Sequence, residues 1–587
     1  MAEILRFVTE TARDGNQYMS AITAEGTIRF NSNYRPVAEA ETWAAGQQLV
    51  AKGAVVLLFG IGNGYCLTAL LKRLSSDGII IVYEPSYQLF DYVKEQYKIA
   101  ELLSDPRVIL VVGEDLHKRI YALLDQYVHW SNAKKQCFCV HPQYDKLFSE
   151  QLAYFEEIVR TNNIRVFTNR NTEMHFGHAI AENVVENLPY VPGAGIISGL
   201  VGKFPKDAAA IIVAAGPSLD KNVDELKRAK GKAFILAVDT SLKALHAHNI
   251  IPDAVVTIDA ELREKHVVDT DFAQIPLFAK NQANHKILSL HHAQKIWFDC
   301  HKYLKRFYQK IGQKLEGYHT GASVATAAFS LCATLGFQRI ILIGQDLAYL
   351  GDVTHAGGQV LKIQAEDENI CYVDGVDGGK VKTRHDWVQY LRWFERVVHE
   401  VNGEIEVIDA TEGGALIRGT RLCTLAKAID EYCTVPVDFS AILEKNICGL
   451  NAEEKRQFGE YLQKGMRETD KIRKISAAVC AFCDREMAAL AKVKQEEIKR
   501  YCEEHERMFQ EFLASQNADI VMYDIYLLID DSIKQISIPA ITEMLEAEGT
   551  EEECFKIKLA ANRKIYYAMA DAAQKLGTRL HFINIVN

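Results

Sequence analysis

Proline is scarce in this chain, at 12 of 587 residues, so helices and strands are rarely interrupted. No run of about 18 uninterrupted apolar residues occurs, and no transmembrane helix is expected. Positive charge is not in excess. Lys and Arg number 67 against 77 Asp and Glu, a net charge of -10, so the chain as a whole is no polyanion binder and nucleic acid is not an expected partner. The first thirteen residues lack a basic start and an apolar core, so no secretory signal is expected. No repeat of 20–50 residues and no low-complexity tract is evident. A disulfide framework is also missing. The 13 cysteines are odd in number and scattered, several (Cys66, Cys332, Cys423) inside apolar runs, as expected of free thiols in a reducing cytoplasm.

What is present is ample apolar content, 48%, enough for three or four cored domains or two large ones. Cys480 and Cys483 form a CxxC, and Cys502 and His505 repeat the spacing, a ligand set that zinc accepts. However, 477–507 reads as one continuous helix, which would hold the pairs about 30 Å apart. They meet only if a hairpin intervenes, so no metal is assigned there.

Three regions are expected: an N-terminal Rossmann-like domain (1–190), a central α/β domain with a parallel sheet (191–434) and a C-terminal all-α helical domain (435–587). In the first, Val55-Val56-Leu57-Leu58-Phe59 precedes Gly60-Ile61-Gly62-Asn63-Gly64, a helix-like stretch, a second strand at 79–83, and Glu84. This βαβ order places Glu84 where a ribose-binding carboxylate would stand. The plainer reading is a Rossmann-like scaffold with an empty pocket, in which Gly62 and Glu84 are not catalytic.

Beyond the turn-rich 189–195, apolar strands are expected at 209–215, 234–238, 254–258 and 339–343. They end in Gly216-Pro217-Ser218, Asp239, Asp259 and Gly344-Gln345-Asp346 respectively. Their continuous apolarity implies a parallel sheet covered on both faces, and ligands bind outside the carboxyl ends of such strands. Pro217 suits a first helical position, in a polar helix running to about residue 229. Gly216 permits close backbone approach, and Ser218 with the helix start can hold a phosphate. The alternative is a tight turn with N-capping carboxylates. Thr320, Gly321 and Ser323 open an Ala/Ser-rich helix ending near Gly336, a second anion-friendly terminus. The charged heptad-like segments 453–467, 470–492 and 495–513 make the last region helical.

The ordered set Gly-Pro-Ser-Leu (216–219), Thr-Gly-x-Ser-Val (320–324), Gly-x-Asp-Leu-Ala-Tyr (344–349), Thr-His-Ala (354–356) and Asp-Ala-Thr-Glu-Gly-Gly-Ala (409–415) resembles the motility accessory factor (Maf) flagellin glycosyltransferases. Their central domain is related to bacterial sialyltransferases that use CMP-activated donors. The resemblance covers about 170–430, and the flanking regions suit that family's three-part layout. It implies transfer of a nonulosonic acid, such as pseudaminic or legionaminic acid, from its CMP ester to Ser/Thr of flagellin in the cytoplasm, in support of flagellum assembly and motility.

It also implies roles. Gly216, Pro217 and Ser218 approach the nucleotide. Thr320, Gly321 and Ser323 lie near the phosphate and the donor carboxylate. Asp239 falls where the sialyltransferases have a polar residue facing nucleotide or sugar, and Asp259, at the carboxyl end of a strand, is expected to line the same pocket. Asp346 and Tyr349 are catalytic, the tyrosine helping the phosphate leave. The sialyltransferases carry a histidine base some thirty residues past the Gly-x-Asp segment. Here His355 lies nine residues past Asp346 and His385 thirty-nine, and His355 is the favoured base. No cofactor is certain, although Asp239, Asp259 and Asp346 together offer the oxygen ligands Mg²⁺ prefers. Two rivals are a pterin pyrophosphokinase-like transferase using Mg-ATP, whose archaeal forms share the central domain and the Gly-Pro-Ser turn, and a non-enzymatic flagellin-binding chaperone. The C-terminal helices are the expected place of acceptor recognition, needing only an apolar stripe to seat a helix.

Overall fold

The computed structural model describes residues 4–49, 53–113, 116–261, 264–315, 321, 323–351, 353, 355–356 and 370–586. The chain divides into two compact units, Met1–Met174 and His175–Asn587.

The first unit opens with an antiparallel meander, β1 (Ile4–Thr11), β2 (Gln17–Thr23) and β3 (Gly26–Arg29). A four-stranded sheet follows, from β4 (Val55–Phe59), β5 (Ile79–Glu84), β6 (Val108–Val112) and β7 (Gln136–Val140), in the order β6-β5-β4-β7 with every pair parallel. All five residues of β4 are buried, because helices cover both faces of a parallel sheet. The expected strand, glycine turn, helix and strand are all present, the helix spanning Tyr65–Arg73.

The second unit is built on a nine-stranded parallel sheet. Its strands are β8 (Gly195–Ile196), β9 (Ala209–Val213), β10 (Ala233–Val238), β11 (Ala254–Thr257), β12 (Leu277–Lys280), β13 (Lys295–Asp299), β14 (Arg339–Ile343), β17 (Glu406–Asp409) and β18 (Arg421–Leu422). A separate antiparallel hairpin pairs β15 (Ile370–Asp374) with β16 (Lys380–Arg384). The sheet order is β18-β17-β14-β9-β10-β11-β12-β13-β8. From β9 the chain winds outward through β10 to β13, then returns to the other side of β9 as β14. The winding direction therefore reverses between β9 and β14, and a crevice opens at their carboxyl ends.

The helical region departs from expectation in one place. The segments expected at 453–467 and 470–492 form one helix, Ala452–Leu490, entered through a capping box of Asn451 and Glu454. The chain then turns, and a second long helix spans Ile498–Ile520. Thus 477–507 is a hairpin, not one continuous helix. It nevertheless builds no zinc site: His505 Nδ1 bonds Glu486 at 2.7 Å, and no group of three or more metal-binding side chains occurs among the described residues. All 13 cysteines are unbridged.

Sheet and helices share a core. Phe307, beyond β13, is fully buried with its ring 5.0 Å from Phe458 and 5.5 Å from Tyr461 of the long helix. Tyr461 also donates its hydroxyl to the Tyr303 carbonyl at 2.8 Å. Two layers joined through one apolar interior lose stability together. Phe307→Ala should cost about 3–5 kcal/mol. Hydrogen exchange should then show protection falling in parallel in β12, β13 and the helix Ala452–Leu490, and not in the helices alone.

Candidate active site

The residues following β9 and β14 meet at the reversal point. Ser218 Oγ donates to Asp346 Oδ2 at 2.7 Å, and the Ser218 N–H lies 3.2 and 3.3 Å from the two carboxylate oxygens. Both side chains are buried. Burial pushes the Asp346 carboxyl up to about 6, against the opposing pull of the Ser218 bonds. Gly216 is required here: its N–H donates to the Gly344 carbonyl at 2.7 Å, and a Cβ would run into the Asp346 carboxylate.

The segment after β17 closes the other side. The Ala415 N–H donates to the Asp346 carbonyl at 2.7 Å, and Gly414, at φ +80°, leaves no room for a Cβ against the Asp346 backbone. Asn222 Nδ2 donates to the Ala410 carbonyl and to Glu412 Oε1, both at 3.0 Å. Two non-glycine residues at this junction, Leu347 (φ +48°) and Glu412 (φ +59°), adopt the left-handed region. Side chains rarely tolerate that conformation, and such strain concentrates at functional sites.

The turn after β9 differs from expectation. The run to Ala229 is broken into two four-residue α-helices, Leu219–Asn222 and Leu226–Ala229, joined by a 3₁₀ turn, and Ser218 stands at the first N-cap position without a side-chain capping bond. Pro217 therefore precedes the cap, and a four-residue helix carries little dipole. The Ser218 hydroxyl, expected to face a phosphate, already donates to Asp346.

Tyr349 and His355 join the same edge. The Tyr349 ring packs on Trp387, centroids 5.0 Å apart, with Lys382 Nζ 5.3 Å from its centroid. The Tyr349 N–H donates to the Lys382 carbonyl at 2.9 Å. The neighbouring Ala356 N–H donates to the Ala215 carbonyl at 2.9 Å, which fastens the His355 loop beside β9. Burial, and then the Arg384 charge, hold the His355 imidazole below its ordinary value. His385 is exposed at the start of the helix His385–Glu400.

Of the other expected residues, Asp239 and Asp259 follow β10 and β11, and the Tyr390 hydroxyl feels both Asp259 and Arg384. Asp239 is fully buried; its carboxylate accepts from Thr257 Oγ1 and the Thr240 N–H, both at 2.7 Å. Burial, with the Asp259 charge, pushes it up to about 7. Asp259 is exposed, and its Oδ1 accepts the Glu261 N–H at 2.8 Å. Asp239, Asp259 and Asp346 do not form a metal-holding group among the described residues. Ser323 caps the helix Val324–Leu335: its Oγ accepts the Thr326 N–H at 3.2 Å, while Thr326 Oγ1 accepts the Ser323 N–H at 3.1 Å. Gly321 lies against Thr326, and Thr320 lies outside the described residues.

The glycine turn of the first unit is filled by its own chain. Glu84 Oε2 accepts the Ile61 N–H at 3.1 Å and the Tyr144 hydroxyl at 2.6 Å. That hydroxyl also accepts the Gly62 N–H at 2.9 Å, and His141 occupies the space a Cβ on Gly62 would need. The backbone donors and the carboxylate that a dinucleotide would use are thus occupied internally. The pocket is plugged, not empty, and Glu84 is no ribose ligand here.

Elsewhere in the second unit a cavity of about 640 Å³ lies among helices, with Ala181, Val185, Ile533, Ala568 and Leu576 in its lining. Its lining also carries the ion pairs Asp571–Lys575 and Glu182–Arg579.

Residues 182–352 match the family described as 6-hydroxymethylpterin diphosphokinase MptE-like. Two uncharacterized proteins of Treponema pallidum (strain Nichols) are each 25% identical to the chain, one over 307 residues (51% of this chain, 52% of the relative) and one over 135 (23% and 58%). The chain thus spans little more than half the length of the curated relatives it matches. Among solved structures, the Maf glycosyltransferase from Magnetospirillum magneticum AMB-1 superposes with a TM-score of 0.55 over 94% of this chain and 95% of that one, at 13% identity. The chain therefore carries a segment similar to MptE-like domains and shares its overall fold with a Maf glycosyltransferase.

Burial pushes Glu84 up to about 7, so the folded protein keeps a proton that the unfolded chain releases above about pH 4.5. Its contribution to stability is largest at low pH and falls as pH rises from about 4.5 to 7. Glu84→Gln should remove this slope: the difference in Tm between variant and wild type should change by several degrees in the variant's favour between pH 5 and pH 8.

Proposed function

We propose that this chain is a glycosyltransferase that moves a nonulosonic acid, of the pseudaminic or legionaminic type, from a CMP-activated donor to Ser/Thr hydroxyls of flagellin. The observation that carries this reading is the buried Ser218–Asp346 pair at the sheet's reversal point, with Tyr349 and His355 gathered beside it. The Maf-like fold supports the class of reaction.

In the proposed reaction the bond between the sugar's anomeric carbon and the phosphate oxygen breaks, and CMP departs with the bonding pair. The acceptor hydroxyl attacks the resulting cation-like centre and gives up its proton. His355 is suited to take it, because burial and Arg384 keep its ring neutral at neutral pH. Tyr349 and the cations around it are suited to stabilise the departing phosphate. Asp346, held against the Ser218 hydroxyl and backbone, positions the turn that approaches the nucleotide. The C-terminal helices are the proposed place of acceptor recognition, since seating a helix needs only an apolar stripe.

The pyrophosphokinase reading has one specific support, the MptE-like match over residues 182–352. It predicts tight Mg-ATP binding and none of CMP.

Two measurements test the main reading. Labelled sugar should pass from a CMP donor to co-expressed flagellin, and Asp346→Ala, Tyr349→Phe or His355→Ala should each lower the rate about 100-fold or more. Unchanged transfer in these variants would remove the proposed site. With His355 as base, the acidic limb of the rate profile should fall below the ordinary histidine value of about 6.5. A limb lying above that value would exclude it.

A further inference from the structure

The hairpin β15–β16 brings two cations to this edge that no motif identified. Lys382 and Arg384 are alternate residues of β16, so they share one face, their Cα atoms about 7 Å apart. Thr383, between them, points the other way. It is buried, and its hydroxyl donates to the Leu347 carbonyl at 2.6 Å, which fastens the strand to the residue following Asp346. Lys382 Nζ stands over Tyr349, and the Arg384 guanidinium lies 5.0 Å above the Trp387 ring. Asp386 accepts from Arg384 Nε at 2.9 Å and from one Nη. Among the described residues the Arg384 guanidinium meets Asp386 and Tyr349, and its five N–H groups give it capacity for a further acceptor.

We propose that Lys382 and Arg384 form an anion clamp that grips the acidic group of the donor beside Tyr349. The clamp rests on the reading above in one respect, that the anion belongs to a cytidylate donor. Such a donor carries two anions, its phosphate and the sugar carboxylate, and either suits a pair of cations on one strand face. The aromatic supports matter: Trp387 and Tyr349 lie against the charged heads of Arg384 and Lys382, which orients both cations toward a ligand.

The test uses the full chain and the variants Lys382→Met, which keeps the apolar stem over Tyr349, and Arg384→Gln, which keeps an N–H for Asp386. Lys382→Arg serves as the charge-preserving control. Binding of cytidine, CMP, CMP-N-acetylneuraminate and inorganic pyrophosphate is measured by calorimetry at low and high salt. A phosphate clamp gives about tenfold weaker CMP binding in Lys382→Met and Arg384→Gln, unchanged cytidine binding, a shallower salt dependence, and near-normal CMP binding in Lys382→Arg. A carboxylate clamp leaves CMP unchanged and weakens only CMP-N-acetylneuraminate. Equal binding of both donors by wild type and variants overturns the clamp while leaving the nucleotide reading intact. If wild type binds no cytidine compound, the nucleotide reading fails, and pyrophosphate decides the clamp: loss of its binding in the two variants supports it, while unchanged or absent binding overturns it.

Discussion

The second unit is organised around one buried contact, the hydrogen bond between Ser218 and Asp346. It links the turns that follow β9 and β14, the two strands between which the sheet reverses its winding direction. A carboxyl group without partners in that position would be costly, because an unpaired buried polar group loses its water and gains nothing. The serine hydroxyl and N–H supply what water would have given. The contact also dictates its surroundings: Gly216 must lack a side chain to pass the carboxylate, and Gly414 must take a positive φ to pass the Asp346 backbone. The strained backbone of Leu347 and Glu412 is tolerated because bonds on both sides hold it: Thr383 onto Leu347, and Asn222 and Lys221 onto Glu412.

The two Rossmann-like sheets treat the same kind of edge in opposite ways. In the first unit the glycine turn is closed by Glu84, Tyr144 and His141, so its anion-binding backbone donors serve the fold. In the second unit the turn holds Asp346 against Ser218, with its carboxyl pushed up to about 6 by burial, while Lys382 and Arg384 of the adjoining hairpin lie beside Tyr349. A glycine-rich turn is thus compatible with either outcome. What decides is the side chain that arrives from a distant strand end.

Much of the fold could be read along the chain. The four apolar runs ending in Ser218, Asp239, Asp259 and Asp346 are strands β9, β10, β11 and β14, because continuous burial on both faces leaves an unmistakable run of branched residues. Strands β12, β13, β17 and β18 were not legible. They are short or carry charged ends such as Lys280, Asp299 and Glu406, and they earn strand geometry only from a neighbour already in place. The hairpin between Leu490 and Ile498 was missed for a related reason: neither glycine nor proline marks the turn, and the charged residues there suit a helix equally well.

Sequence alone determined the strand ends, the order of the motifs and the residue types available for anion and proton chemistry, since these depend on local pattern and spacing. Only the tertiary structure decided which of them meet. It brought Ser218 onto Asp346 across 128 residues, left Asp259 at the surface, gave Ser323 to a helix cap and set Lys382 and Arg384 beside Tyr349. The physical reason is that hydrogen-bond partners and burial are properties of neighbours in space, and a winding sheet chooses those neighbours from far along the chain.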